Sequence, residues 1–272
     1  MLVRCIASIS YLAYPPNKDQ GFPLASFLSG ERARCIRCVT CCFGCDFNIA
    51  LTTGSLMWAQ RWLGELYSKL YTTCGRDTVT LDEITRFAGS SAKAGVAVSR
   101  LRKAGLVYVF SVAERRKRYI VGDPILLPFL AAGRITNLDA VKQSRYARAI
   151  GLFSAEALEA YPVIKSIIVY GSVSRGVASN DSDIDLLVLM DSDVSVGERI
   201  QDLSRVQDSG RTGRELEWLD SHEIWTRISI LPLTRDEATC FPPILLDVLE
   251  DGIPVVDDGT FLKIRIELRE AG

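Results

Sequence analysis

Two aspartates separated by one residue, Asp183 and Asp185, stand ten residues beyond a Gly-Ser pair in the stretch "YGSVSRGVASNDSDIDLLVLMD", residues 170–191. The apolar run after them predicts a strand, and a strand alternates its side chains, so both carboxylates share one face while Ile184 turns inward. Two acids so close repel each other, raise each other's pKa and cost stability unless a cation joins them. Mg2+, or Mn2+ in its place, suits such a pair because it takes a few carboxylate oxygens and completes its shell from phosphates and water. "SIIVYGS" predicts a preceding strand that ends at Gly171 and Ser172. A glycine lets the backbone approach a phosphate closely, and the serine hydroxyl and N–H can donate to its oxygens. Ser174 and Arg175 follow at the start of an expected helix, where Arg175 has either a phosphate or an aspartate to pair with.

Gly171-Ser172, ten residues, then Asp183-Ile-Asp185 resembles the motif of the DNA polymerase beta-like nucleotidyltransferase superfamily, in particular its minimal, archaeal-like branch. "SRG" and "SDIDLLV" are typical of that family, and "FPPILLDVLEDGIPVVDD" resembles the C-terminal helix and strand of archaeal-type members, so the resemblance spans about residues 163–260. It implies an α+β fold, a mixed β-sheet flanked by helices, with Gly171, Ser172, Ser174 and Arg175 on the nucleotide. Asp183 and Asp185 would then be catalytic and hold the metal. The implied reaction moves a nucleoside monophosphate, AMP from ATP as the first expectation among the NTPs, onto a hydroxyl. Members of this branch commonly act as antitoxins that adenylylate a partner toxin, so a toxin-like protein is the first expected acceptor.

One part of the family pattern is missing. A third carboxylate is normal on the next strand, expected here as "EIWTRISILPL", but the interior of that strand offers Arg227 and Ser229. Glu223 at its start is the candidate third catalytic acid, and His222 beside it, the chain's one histidine, is a further candidate base. Without a base in the usual place, the domain is expected either to transfer slowly or only to sense nucleotide.

The elements around this core fall into two halves of opposite charge. A net charge of −1 hides twelve Lys/Arg against five Asp/Glu in residues 57–122, and eleven against twenty-one in residues 163–272. In the basic half, Trp58, Trp62, Leu66 and Leu70 mark a first helix, Thr80 and Glu83 form a capping box for a second, and Ala94, Ala97, Val98 and Leu101 line a third that Gly105 stops. Strands over 106–112 and 118–121 would close a hairpin with the tip "ERRKR". This resembles a winged helix-turn-helix domain. It implies DNA contacts by Ser99, Arg102 and Lys103 on the third helix and by Arg115, Arg116, Lys117 and Arg118 on the wing. Winged helices often work as dimers, so a homodimer is among the expected states.

Residues 123–162 read as a connector followed by a long helix over 138–160, which leaves 163–272 as the nucleotidyltransferase domain. Residues 1–56 carry five of the eight cysteines in "CIRCVTCCFGC" and no helical or strand period. Cys35, Cys38, Cys41 and Cys45 have the spacing of a ferredoxin cluster run or a zinc site, with Cys42 an alternative ligand; the plainer expectation is an ill-ordered extension ahead of Met57. No apolar run reaches membrane-spanning length, so the expectation is a cytoplasmic protein with no membrane partner. Two functions remain in play: a transferase, acting on a protein or, with a basic domain to hold the acceptor, on RNA; and a DNA-binding regulator that senses nucleotide.

Overall fold

The computed structural model describes residues 60–113, 116–208, 210–240 and 243–271, all within one unit, Gly54–Gly272. The cysteine run, Met57, Trp58 and Arg115 lie outside the described residues.

The basic half begins with α1 (Arg61–Cys74), whose buried stripe is Leu63, Leu66, Tyr67 and Leu70. The two-residue β1 (Val79–Thr80) leads into α2 (Leu81–Ala88), where the Thr80 side chain and Glu83 form the expected reciprocal cap. Next comes α3 (Ser91–Lys103), capped by Ser90, with Ala94, Ala97, Val98 and Leu101 turned inward. Gly105, at φ 69, turns the chain into β2 (Val107–Ala113), which pairs with β3 (Arg116–Val121). The antiparallel sheet has the order β1-β3-β2. Arg118 stands within β3 as expected, paired to Ser111, and Arg116 and Lys117 also belong to the strand, paired to Ala113 and Val112, and not to the loop at its tip where the hairpin expectation had put them. The ladder can keep its pairing that far because Arg116, Lys117 and Arg118 are exposed, so their charges displace nothing from the core.

Two expectations for the middle of the chain are corrected. The connector holds a short helix, α4 (Leu126–Ala131). The long helix over 138–160 is in fact two 3-10 turns, Leu138–Ala140 and Ser144–Tyr146, followed by α5 (Ala147–Ala160). Extended backbone at Val141 and non-helical backbone at Gln143 break the pattern, because the side chains beyond Val141 are engaged in tertiary hydrogen bonds described below. The apolar residues of α5 are buried almost all round the helix.

The second sheet has the order β6-β5-β4-β7. Here β4 (Ile164–Tyr170) runs antiparallel to β5 (Ile184–Met190) and β7 (Ile253–Asp257), while β5 is parallel to β6 (Ile228–Leu233), so the sheet is mixed and the fold class α+β. Between β4 and β5 lies α6 (Gly171–Arg175); α7 (Val196–Asp208) and α8 (Gly210–Asp220) cross over to β6. The short α9 (Arg235–Thr239), α10 (Ile244–Asp251) and, after β7, α11 (Thr260–Ala271) complete the chain. Burial along β4 and β5, relaxed only at Lys165 and Asp185, explains their β-branched and leucine runs. The strand expected from Glu223 starts only at Ile228; Pro232, which cannot donate, fits it because β6 is an edge strand.

The two halves share a core. Tyr108 and Ile120 of the first sheet lie in the same buried cluster as Ile150, Phe153 and Ile167. Between them Arg148 of α5, 2% exposed, holds Glu215 of α8 at 2.8 Å and donates to the carbonyls of Arg76 and Val121. Among the described residues, no helix is long and apolar enough to cross a membrane.

Candidate active site

Tyr170 at the end of β4 pairs with Asp185 at the start of β5. The antiparallel pairing therefore returns the chain so that the residue after Tyr170 lies against the second aspartate. That residue is Gly171, at φ 72, and a β-carbon there would run into Asp185 Oδ2. Any other residue would meet both a left-handed backbone and a carboxylate. The Gly-Ser pair and the acid pair, ten residues apart in sequence, are thus one site.

The two acids differ in environment. Asp183, one residue ahead of β5, is exposed and accepts a hydrogen bond at 3.1 Å from the backbone N–H of Arg227. Asp185 is half-buried; burial first, then the charge of Asp183, pushes its carboxyl above the usual aspartate range, opposed by a hydrogen bond from Ser229 and by Arg175. Burial and the Asp185 charge likewise raise the Tyr170 phenol. A half-buried acid repelled by its neighbour gains by sharing a cation, and the donors are carboxylate oxygens, so the pair fits Mg2+ or Mn2+.

The phosphate-side residues divide. Ser172 is half-buried at the turn, and its carbonyl accepts from the N–H groups of Gly176 and Val177. Ser174 is 2% exposed and its hydroxyl donates to the Gly171 carbonyl at 2.9 Å, which ties the turn. Arg175 stays near Asp185 while forming a loose ion pair, 3.7 Å, with Asp251 of α10.

Glu223 is not brought to the aspartates. It lies exposed in the turn after α8, at φ 62, and among the described residues no group of three or more His, Cys, Asp or Glu comes together to hold a metal. The strand position beside Asp185 belongs to Ser229. Nor is His222 at the acids: its ring lies tilted against Trp218 with centroids 4.0 Å apart, meets Phe110 of β2 edge-on, and its Nδ1 lies 2.8 Å from the Trp218 carbonyl.

In the basic half, Ser99, Arg102 and Lys103 are exposed on α3 and line a shallow depression of about 410 Å³ that Tyr119 and Asp139 complete. Arg116, Lys117 and Arg118 are exposed along β3, and Arg118 donates to Thr78 Oγ1 at 3.1 Å.

Several site residues escaped the sequence reading. The Arg227 N–H, and Gln143, Arg145 and Tyr146, which hold the loop before Asp183, have no local signature, because each acts only once distant segments meet. Ser229 alone had a signal, the missing acid on its strand.

Residues 152–242 match the family model described as a nucleotidyltransferase domain. The match runs from within α5 through β4, the Gly-Ser turn, β5, α7 and α8 to beyond β6. No curated protein matches the chain. Among solved structures, the crystal structure of a toxin-antitoxin with AMP-PNP matches at 19% identity and a TM-score of 0.30, covering 43% of this chain and 82% of that one.

Proposed function

Starting from an enzyme that carries a nucleotidyltransferase domain over residues 152–242, we propose that it transfers a nucleoside monophosphate from an NTP, ATP first, to a hydroxyl in a Mg2+-dependent reaction. The observation that carries this is the seating of Gly171 against Asp185, which puts the Gly-Ser turn in contact with one member of the carboxylate pair. Gly171 and Ser172 hold the terminal phosphates through the turn's backbone and the serine hydroxyl, with Arg175 on their flank. Asp183 and Asp185 hold the divalent cation, which when bound supplies neutralisation of phosphate charge. The acceptor hydroxyl oxygen bonds to the α-phosphorus as the bond from that phosphorus to the bridging oxygen breaks; pyrophosphate leaves with that electron pair, and the hydroxyl proton passes to water. Ser174 keeps the turn in shape from below.

Ser229 beside Asp185 removes the usual base, and this predicts slow transfer, lower by roughly a hundredfold or more. Glu223 would have to move to take that role. A protein hydroxyl on a toxin-like partner is the proposed acceptor, by the family resemblance.

The same serine favours a second reading, a nucleotide-sensing regulator of DNA. Helix–strand–helix–helix–hairpin order with the β1-β3-β2 sheet supports a winged-helix reading of residues 57–122, and the exposed cations of α3 and β3 support DNA as its ligand.

The test is incubation with Mg2+ and α-labelled ATP, with and without Asp183→Ala and Asp185→Ala. Label on a protein that both changes abolish supports transfer. ATP binding with no label favours the sensor, and no ATP binding at all overturns both readings.

A further inference from the structure

The loop between the Gly-Ser turn and Asp183 has its backbone held from outside by one short segment. Gln143 makes a two-point clasp with Ala178: its Nε2 donates to the Ala178 carbonyl at 2.8 Å and its Oε1 accepts from the Ala178 N–H at 3.0 Å. Tyr146, fully buried, donates its hydroxyl to the Ser179 carbonyl at 2.8 Å. Arg145 lays its guanidinium over the Tyr146 ring, donates to Asn180 Oδ1 at 3.0 Å, and reaches the Ala178 and Ser179 carbonyls at 3.4 Å. Within the loop, the hydroxyls of Ser179 and Ser182 lie 2.8 Å apart and the Ser182 hydroxyl accepts from the Ser179 N–H. From the other side Thr226 donates to the Ser182 carbonyl.

Neither sheet contributes these contacts, and the segment 143–146 gives up helical continuity with α5 to make them. Ala178 is buried in the core at the start of the loop, but the four polar residues after it, Ser179 to Ser182, have no apolar anchor, so their position depends on this clasp. Asp183 follows it directly and is exposed, with the Arg227 N–H as its fixed point.

We propose that Gln143 and Arg145 are positioning residues that fix the Ala178–Ser182 loop so that Asp183 stands in register with Asp185 and the Gly171–Ser172 turn. The proposal rests on the nucleotidyltransferase reading of that site. Gln143 fixes the loop by shape and Arg145 by spanning three successive residues; neither touches the nucleotide. Outer partners that orient metal ligands change metal affinity by about 10–100-fold when removed.

The experiment compares Gln143→Leu, Arg145→Ala and, as a control, Ser144→Ala, whose hydroxyl donates to the Val109 carbonyl of β2 instead of the loop. Amide hydrogen exchange is followed over residues 178–182 and over β4 and β5, and Mn2+ binding in the presence of ATP is followed by electron paramagnetic resonance. Both loop variants are expected to exchange faster at Ala178 with β4 and β5 protected as before, and to bind Mn2+·ATP about tenfold more weakly. Ser144→Ala is expected to match the parent in both. Because Gln143→Leu changes no charge, a loss shared with Arg145→Ala separates positioning from simple attraction of phosphates. Unchanged Mn2+·ATP affinity in Gln143→Leu, or a loss seen only with faster exchange throughout β4 and β5, would overturn the proposal. A parent protein that binds no Mn2+·ATP would instead overturn the nucleotidyltransferase reading and remove the purpose of the clasp with it.

Discussion

Asp185 and Ser229 are register partners across the parallel β5–β6 pairing, and the serine works against the rise in the aspartate's pKa. A serine thus occupies the neighbouring strand position from which a third carboxylate would face the pair. Replacing Ser229 with Asp should raise nucleotidyl transfer on the order of tenfold or more if the missing base limits the rate. The same change should lower the melting temperature of the metal-free protein, since a third acid joins two that already repel. Transfer of labelled AMP and a melting curve without metal check the two halves of this expectation.

Asp185 gives a pH dependence with a definite sign. Its folded pKa is raised above the unfolded value, so the native state holds the proton more tightly. Its contribution to stability is fully present at low pH and is lost as pH rises through the folded pKa. Asp185→Asn should therefore melt higher than the parent at neutral pH without metal, and should lose the upward shift that Mg2+ produces in the parent. In the parent that Mg2+ shift should shrink as pH is lowered into the range where Asp185 protonates. Thermal melts with and without Mg2+ at several pH values decide the matter.

Gly171→Ala tests the contact between turn and acid. A left-handed backbone costs a non-glycine residue about 1–2 kcal/mol, and the added carbon must also displace the Asp185 carboxylate. The variant should be less stable by at least that amount in urea, and metal-dependent nucleotide binding should be lost even where the protein remains folded.

Arg148 and Glu215 form a buried ion pair at the junction of the two halves, with the guanidinium stacked 4.5 Å above Trp218. Burial pushes the Glu215 carboxyl up, and Arg148 opposes that shift. Removing one partner leaves a buried charge unpaired, so Arg148→Met should cost about 3–5 kcal/mol. The double variant Arg148→Met with Glu215→Leu should recover a large part of that loss in denaturant titrations, because apolar replacements of similar volume leave no orphan charge.

How much was legible in advance depended on how far each signal reached along the chain. Thr80 and Glu83 announce their cap because the partners lie three residues apart and satisfy each other. The inward face of α3 follows from its own period, and the burial of β4 and β5 from their apolar runs. Asp183 and Asp185 declare their chemistry because alternation along one strand puts both on one side. The long helix expected over 138–160 shows the opposite case. Leu138, Val141 and the apolar positions of α5 are compatible with a continuous helix, yet Gln143 and Arg145 find better partners in the loop at 178–180 than helical geometry would offer. Glu223 could be named from its place near the strand, but the turn after α8 holds it away from the acids.

The sequence by itself determined the residue types of the candidate site at 171–172 and 183–185, the inward stripes, the basic half and the acidic half. Only the tertiary structure decided which backbone N–H meets Asp183, which hydroxyl stands beside Asp185, and how Arg148 joins the two halves. The physical reason is that strand alternation and helix capping are set by near neighbours. Strand register and the burial of a charge depend instead on segments forty to seventy residues apart, such as Asp183 with Arg227 and Arg148 with Glu215, which only the folded chain brings together.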